Sequence, residues 1–334
     1  MKICYLYPGQ GAQYPGMGKD FFDRSASVRE LFELASEACG IDTPRLLFES
    51  SEAELKETRN TQISITLMNL AVRAYLQERG IESSGAAGFS LGEWSAYVDA
   101  GVLPAENVFP IVMKRAELMA RAAERLAACS EGSADAAADR VDTGQAGSGT
   151  GSGMAAVIGL AAEAVEKVIG TIDGVYPANY NSPDQTVISG SAEAVGQASE
   201  ACKQAGARRV IPLKVSGPFH TPLLREAEEA FAEYLADISF RKPVKPLYSN
   251  VTGASVSKPE DVRTNAVRQI VSPVRWTSEE GHISSGGFDL CVECGPGKVL
   301  GGLWKKSGSE LPCISTNSLD AAEALLYRIS EMDK

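Results

Sequence analysis

The chain has 334 residues, 44% of them hydrophobic and 22% charged, with a formal net charge of −11 at neutral pH. That length suits one large globular domain carrying a smaller one. The acidic excess argues against nucleic acid as a partner, and no apolar run approaches the roughly 18 residues that a membrane span requires.

The first segment, "ICYLY" at 3–7, alternates and is apolar, which predicts a strand. The surrounding "MKICYLYPGQ" lacks the long apolar stretch and small-residue cleavage site of a signal peptide, so the expected location is the cytoplasm. A glycine-rich loop follows, "PGQGAQYPGMGK". It fails the dinucleotide template, because Tyr14 stands where the third glycine belongs. It also fails the phosphate-loop template, because Asp20 follows Lys19 in place of Ser or Thr. Backbone amides of such a loop can still serve an oxyanion.

Helical spacing runs through "SVRELFELASEAC" and "TQISITLMNLAVRAYLQERG", the second ending at Gly80. Then "SGAAGFS" predicts a short buried strand and "LGEWSAYVDAG" a helix. Strand, tight turn at Ser90 and helix is the arrangement of a nucleophile elbow of G-x-S-x-G form. "ENVFPIVMKRAELMARAAERLAA" is helical apart from Pro110, where the regular part is expected to start. Within it Arg115 is flanked by Met113, Ala116 and Met119, whereas Lys114 can point to solvent. A half-buried guanidinium wants a carboxylate, supplied either by the protein or by a ligand.

Residues 129–153 are small and polar, a flexible insert without chemistry. Beyond them "MAAVIGL", "AAEAVEKVIGTI", "VYPANYN", "QTVISG", "SAEAVGQASEACKQAG" and "ARRVIPLKV" give the order βαββαβ, the ferredoxin-like split unit. The expected organisation is therefore a discontinuous large domain, 1–125 and 214–334, with a small domain at 126–213 inserted into it. The chain returns through "TPLLREAEEAFAEYLADI", a helix with Thr221 as N-cap and Pro222 at its first position. A strand "KPLYSN" and a strand–turn–helix "FDLCVECGPGKVLGGLW" follow. Alternation of strands and helices predicts an α/β fold with a mainly parallel sheet.

A serine nucleophile needs a base, and the chain has two histidines. His282 lies among polar and small residues and is expected on a surface loop. His220, between a strand and a helix N-terminus, is the better candidate, since the positive helix end keeps its imidazole neutral. Seven cysteines are scattered without a disulfide framework. The lone C-x-x-C of Cys291 and Cys294 lacks the second pair or the spaced histidines that zinc would need.

Together the segments resemble the malonyl-coenzyme A:acyl carrier protein transacylases. The family signatures stand in order: "PGQGAQYPGMG", "TQISI", "GFSLGEWSAYVDAG", the arginine of "MKRAELM", "GMAAVIGL", "ANYNSPDQTVISG", "VSGPFHTPLL", "YSNVTG", "SPVRW" and "VECGPGKVL". The resemblance implies a hydrolase-like α/β domain with an inserted ferredoxin-like domain. It also implies transfer of a malonyl group from coenzyme A to acyl carrier protein, for fatty acid or polyketide synthesis. By the same resemblance Ser90 is the nucleophile, His220 the base, and the amides of Gln10 and Leu91 the oxyanion hole. Arg115 pairs with the malonyl carboxylate. A backbone carbonyl at Asn250 or Ser249 orients the histidine, and no metal or bound cofactor is needed. Phe219 goes with malonyl over methylmalonyl units, and Phe89 replaces the histidine more usual before the serine. Three rivals share these residues: a thioesterase-type hydrolase, a trans-acting polyketide acyltransferase, and a catalytically silent carrier-binding scaffold.

Overall fold

The structure is a computed structural model that describes residues 1–131 and 151–332. The described strands are β1 (Ile3–Tyr7), β2 (Gly85–Gly88), β3 (Ser152–Ile158), β4 (Val175–Ser182), β5 (Gln185–Ser191), β6 (Arg209–Leu213), β7 (Leu247–Ser249), β8 (Ala254–Val256), β9 (Leu290–Glu293) and β10 (Cys313–Ser315). They form a six-stranded sheet, β10-β9-β1-β2-β7-β8, and a four-stranded sheet, β4-β5-β3-β6. In the first, every neighbour pair is parallel except β7–β8. The fold is mixed α/β with a parallel-rich sheet.

Contacts divide the chain into two compact units. One comprises Met1–Ala116, Leu235–Ala266 and Arg275–Lys334; the other comprises Glu117–Tyr234 and Val267–Val274. The second therefore extends beyond the expected 126–213. Part of the reason is local: Tyr180 N–H donates to the Val274 carbonyl at 2.9 Å and Val274 N–H to the Ala178 carbonyl at 2.8 Å, which ties 267–274 to β4.

In the first unit β1 is buried at all five residues, as a central parallel strand must be. β2, "GAAG", has poor strand propensity, and close packing explains its composition: a Cβ on Gly85 would meet the Phe288 ring at 2.4 Å. The expected helix runs over Thr58–Glu78 and is buried on every side from 61 to 72, which makes it a core helix. It ends at Gly80 as expected, with Ile81 N–H on the Leu76 carbonyl and Gly80 N–H on that of Gln77, a Schellman motif with φ +79° at the glycine.

The long helix Ala105–Glu131 does not begin at Pro110 but five residues earlier. The bond that proline cannot make is the one to the Glu106 carbonyl, and Glu106 is exposed, so water can satisfy it. Most of the expected insert, 132–150, lies outside the described residues, and its last residues Ser152 and Gly153 already belong to β3. Beyond β3 the order is strand, helix Ala162–Ile169, two strands, helix Ala192–Gln204, strand. Ala155, Val157, Ile188, Val165 and Ala198 are at the core of this unit.

Cys4, Cys291 and Cys313 stand in register across β1, β9 and β10. Cys291 and Cys294 are buried free thiols, and burial pushes both far above the ordinary range. His282 lies on the helix Trp276–Ser284 and not on a loop, though it is exposed as expected. The same helix buries two adjacent carboxyls, Glu279 and Glu280. Burial pushes Glu280 up from 4.5 to about 8, against the hydrogen bond it accepts from Trp276 Nε1 at 2.9 Å.

A carboxyl whose pKa is higher folded than unfolded contributes stability that is complete below the unfolded value. That contribution is lost as pH rises through the folded value. Glu280→Gln keeps an acceptor for Trp276 and removes the titration. It is expected to raise the melting temperature at about pH 9 and change it little at about pH 4, measured by thermal unfolding at both.

Candidate active site

The turn at Ser90 follows from how closely three backbone segments approach. After β2 the chain stays in register with β1 for one more step, Phe89 N–H donating to the Tyr7 carbonyl at 2.9 Å. It then reverses into the helix Gly92–Asp99 through short-range bonds, Gly92 N–H to Phe89 and Glu93 N–H to Ser90. A Cβ on Gly88 would lie 2.1 Å from the Gly92 carbonyl carbon, and one on Gly92 would lie 1.9 Å from the Tyr7 carbonyl oxygen. Both glycines of G-x-S-x-G are therefore required by backbone crossing, and Ser90 between them takes φ +51°. Its side chain is half-buried, and Phe89 packs edge-to-face on Trp276 with centroids 5.5 Å apart.

The loop after β1 passes directly over this turn. A Cβ on Gly9 would lie 2.6 Å from the Phe89 carbonyl oxygen, which brings the next residue, Gln10, to the elbow. The Asn69 Nδ2 donates to the Pro8 carbonyl at 3.0 Å and to Ser95 Oγ at 3.3 Å, linking that loop to the elbow helix. Neither the Gln10 nor the Leu91 amide donates to an acceptor among the described residues. Two free amides beside a serine at a helix N-terminus are suited to a developing negative charge.

Arg115 is 1% exposed, and its Nη1 donates to Gln62 Oε1 at 3.1 Å. Burial pulls the guanidinium down to about 10, and the field of buried Glu93 opposes that fall. The group thus stays charged at neutral pH while stripped of water, the condition in which a cation holds an anion most strongly. Glu93 sits in the first turn of the elbow helix, which ties the electrostatics of Arg115 to the segment that carries Ser90.

His220 belongs to the second unit. It is 4% exposed and, like Ser90, takes a left-handed backbone, φ +61°. Its Nδ1 lies 2.9 Å from the Gln269 carbonyl oxygen and 3.2 Å from that of Ser272. Carbonyl oxygens can only accept, so Nδ1 carries a proton, and in the neutral ring this leaves the lone pair on Nε2. Thr221 flanks the following short helix as expected, but its hydroxyl does not cap it; Oγ1 turns back to the Pro218 carbonyl at 2.7 Å and closes the loop around His220. Phe219 is buried at 7% exposure in the same loop.

One expectation is corrected. The carbonyls that face the His220 ring are those of Gln269 and Ser272, and Asn250 serves a different segment: Oδ1 accepts from Ser90 N–H at 2.6 Å. Its Nδ2 donates to the Gly88 carbonyl and to Glu279 Oε1, both at 2.7 Å. The sequence reading also missed Gln62, Glu93 and Glu279. Gln62 carries a usable signal, an amide inside the apolar run "TQISITLM". "SEEGH" carries none, because adjacent glutamates are normally a solvated face.

Comparison with known proteins bears on the whole chain. A family model described as "Acyl transferase domain" matches residues 4–144 and 126–312. The malonyl CoA-acyl carrier protein transacylase of Bacillus subtilis (strain 168) is 35% identical over 334 residues, spanning 99% of this chain and 98% of that one. The crystal structure of the malonyl CoA-acyl carrier protein transacylase from Clostridium perfringens superposes with a TM-score of 0.88 at 34% identity, covering 100% of this chain and 98% of that one. A malonyl-transacylase solved in complex with its type II PKS acyl-carrier protein gives 0.87 at 33% identity, covering 98% and 100%. At this identity over nearly its full length, the chain belongs to the malonyl-coenzyme A:acyl carrier protein transacylase family of acyltransferases.

Proposed function

We propose that this acyltransferase moves a malonyl group from malonyl-coenzyme A to the phosphopantetheine thiol of an acyl carrier protein, through an ester on Ser90. The observation that carries the residue assignment is backbone strain. Among the described residues, the only non-glycine positions with positive φ are Ser90 and His220. Such strain costs on the order of 1 kcal/mol per residue and gathers at functional sites.

His220 takes the Ser90 hydroxyl proton on Nε2 as Oγ adds to the thioester carbonyl. The amides of Gln10 and Leu91 receive the oxyanion, each worth roughly 3 kcal/mol of barrier in comparable sites. The carbon–sulfur bond breaks and His220 returns the proton to the coenzyme A thiolate. The carrier's thiol then gives its proton to His220, attacks the acyl-serine by the same route, and releases Ser90. Arg115 holds the malonyl carboxylate, and the Phe219 ring crowds an α-methyl group. No metal or bound cofactor takes part. The finer architecture we adopt is a hydrolase-like large domain with a ferredoxin-like insert. The strand order β4-β5-β3-β6 on a βαββαβ chain supports the insert. The cytoplasm, where both thiol carriers are handled, is the compartment this reaction implies.

Brief mixing with malonyl-coenzyme A is expected to add one malonyl group to the intact mass of the wild type and none to Ser90→Ala. Labelling of the variant removes Ser90 from the reaction. Arg115→Ala is expected to slow malonyl labelling about 100-fold or more, the usual consequence of truncating a buried charge partner, and to slow acetyl labelling far less. Equal losses for both donors overturn the carboxylate role. A hydrolase of the same fold releases free malonate where a transferase yields malonyl-carrier, and chromatography of the two products distinguishes them.

A further inference from the structure

We propose that Asn250, braced by Glu279, is a positioning residue that holds the nucleophile elbow in its strained conformation; this rests on the reading of Ser90 as the nucleophile. The argument starts from the sheet. β7 runs parallel to β2, with Ala86 opposite Leu247 and Ala86 N–H on the Pro246 carbonyl at 2.9 Å. In a parallel ladder the neighbouring strand offers one N–H to a carbonyl and one carbonyl to the N–H two residues further on. β7 ends at Ser249 and its backbone turns away. The side-chain amide of Asn250 then makes that pair of bonds, Nδ2 to the Gly88 carbonyl and Oδ1 from Ser90 N–H, as though the strand continued one residue further.

The substitution matters because of where it falls. The N–H of Ser90 leaves strand geometry at φ +51°, and without Asn250 it would lose its acceptor. The amide spans the residue before the nucleophile and fixes the direction in which Cβ of Ser90 leaves the chain. Orientation of Asn250 is in turn fixed by Nδ2 on Glu279 Oε1, with both residues at 0% exposure. A primary amide can donate both protons in this arrangement, whereas a carboxylate in its place cannot donate either. Burial and the neighbouring Glu93 push the Glu279 carboxyl well above its usual range, so a neutral glutamine matches its state.

The test uses the full chain and four variants. Asn250→Asp, nearly isosteric, is expected to lower the rate of Ser90 malonylation on the order of 100-fold, the effect of a small misplacement of a reacting atom. KM should stay within about twofold of the wild type, and the acid limb of the pH–rate profile should not move. Glu279→Gln, which keeps an acceptor for Nδ2, should stay within a few-fold of the wild type, while Glu279→Met should fall toward Asn250→Asp. Thermal unfolding identifies any variant that fails to fold, and the Glu279 pair then decides alone. Wild-type labelling rates in Asn250→Asp, equal rates in Glu279→Gln and Glu279→Met, or a loss confined to KM would overturn the proposal. A shifted acid limb would return Asn250 to the histidine and overturn it equally. Ser90→Ala separates the two levels: labelling of that variant sinks the nucleophile, whereas its silence beside a fully active Asn250→Asp sinks the positioning role alone.

Discussion

The carbonyl oxygen of Tyr7 and the α-carbon of Gly92 are so close that no side chain fits between them. From this contact the geometry of the candidate nucleophile follows. The helix after β2 must start against the end of β1, the chain has only Phe89, Ser90 and Leu91 in which to turn, and the middle residue is forced into left-handed space. A serine tolerates that conformation at modest cost, and an elbow of this form presents its middle side chain at the turn between strand and helix. The parallel sheet supplies the rest, because β1 and β2 end side by side and deliver the loop at Gln10 and the elbow at Ser90 to the same edge.

Electrostatics in the first unit are organised around charges deprived of water. Arg115 stays protonated despite full burial, and Glu93 is the carboxyl whose field resists its loss of charge. Glu279 and Glu280 go the other way, since burial outweighs their hydrogen bonds and favours the neutral acids.

Much of this was legible in the residues. G-x-S-x-G between a small apolar strand and a helix marks an elbow because only glycine permits the two backbone crossings. The βαββαβ order could be read from alternating hydrophobic periods. Arg115 stood out as a charge among methionines. Other features were hidden for physical reasons. Pro110 reads as a helix start because sequence does not reveal that the carbonyl it orphans belongs to an exposed residue, Glu106. The orienting carbonyls of Gln269 and Ser272 are backbone atoms, which no residue type announces. Asn250 is visible in the sequence but its partner is not, since a side chain standing in for a strand depends on where β7 stops.

The row of thiols across β1, β9 and β10 has a practical consequence. Cys4 and Cys291 of that row are enclosed, as are Cys202 and Cys294 elsewhere, and burial pushes the thiols of Cys202, Cys291 and Cys294 up, which favours their unreactive protonated form. A maleimide can reach these sulfurs only when the surrounding structure opens. Their alkylation rate is therefore a built-in clock for unfolding of the molecule, needing no engineered probe.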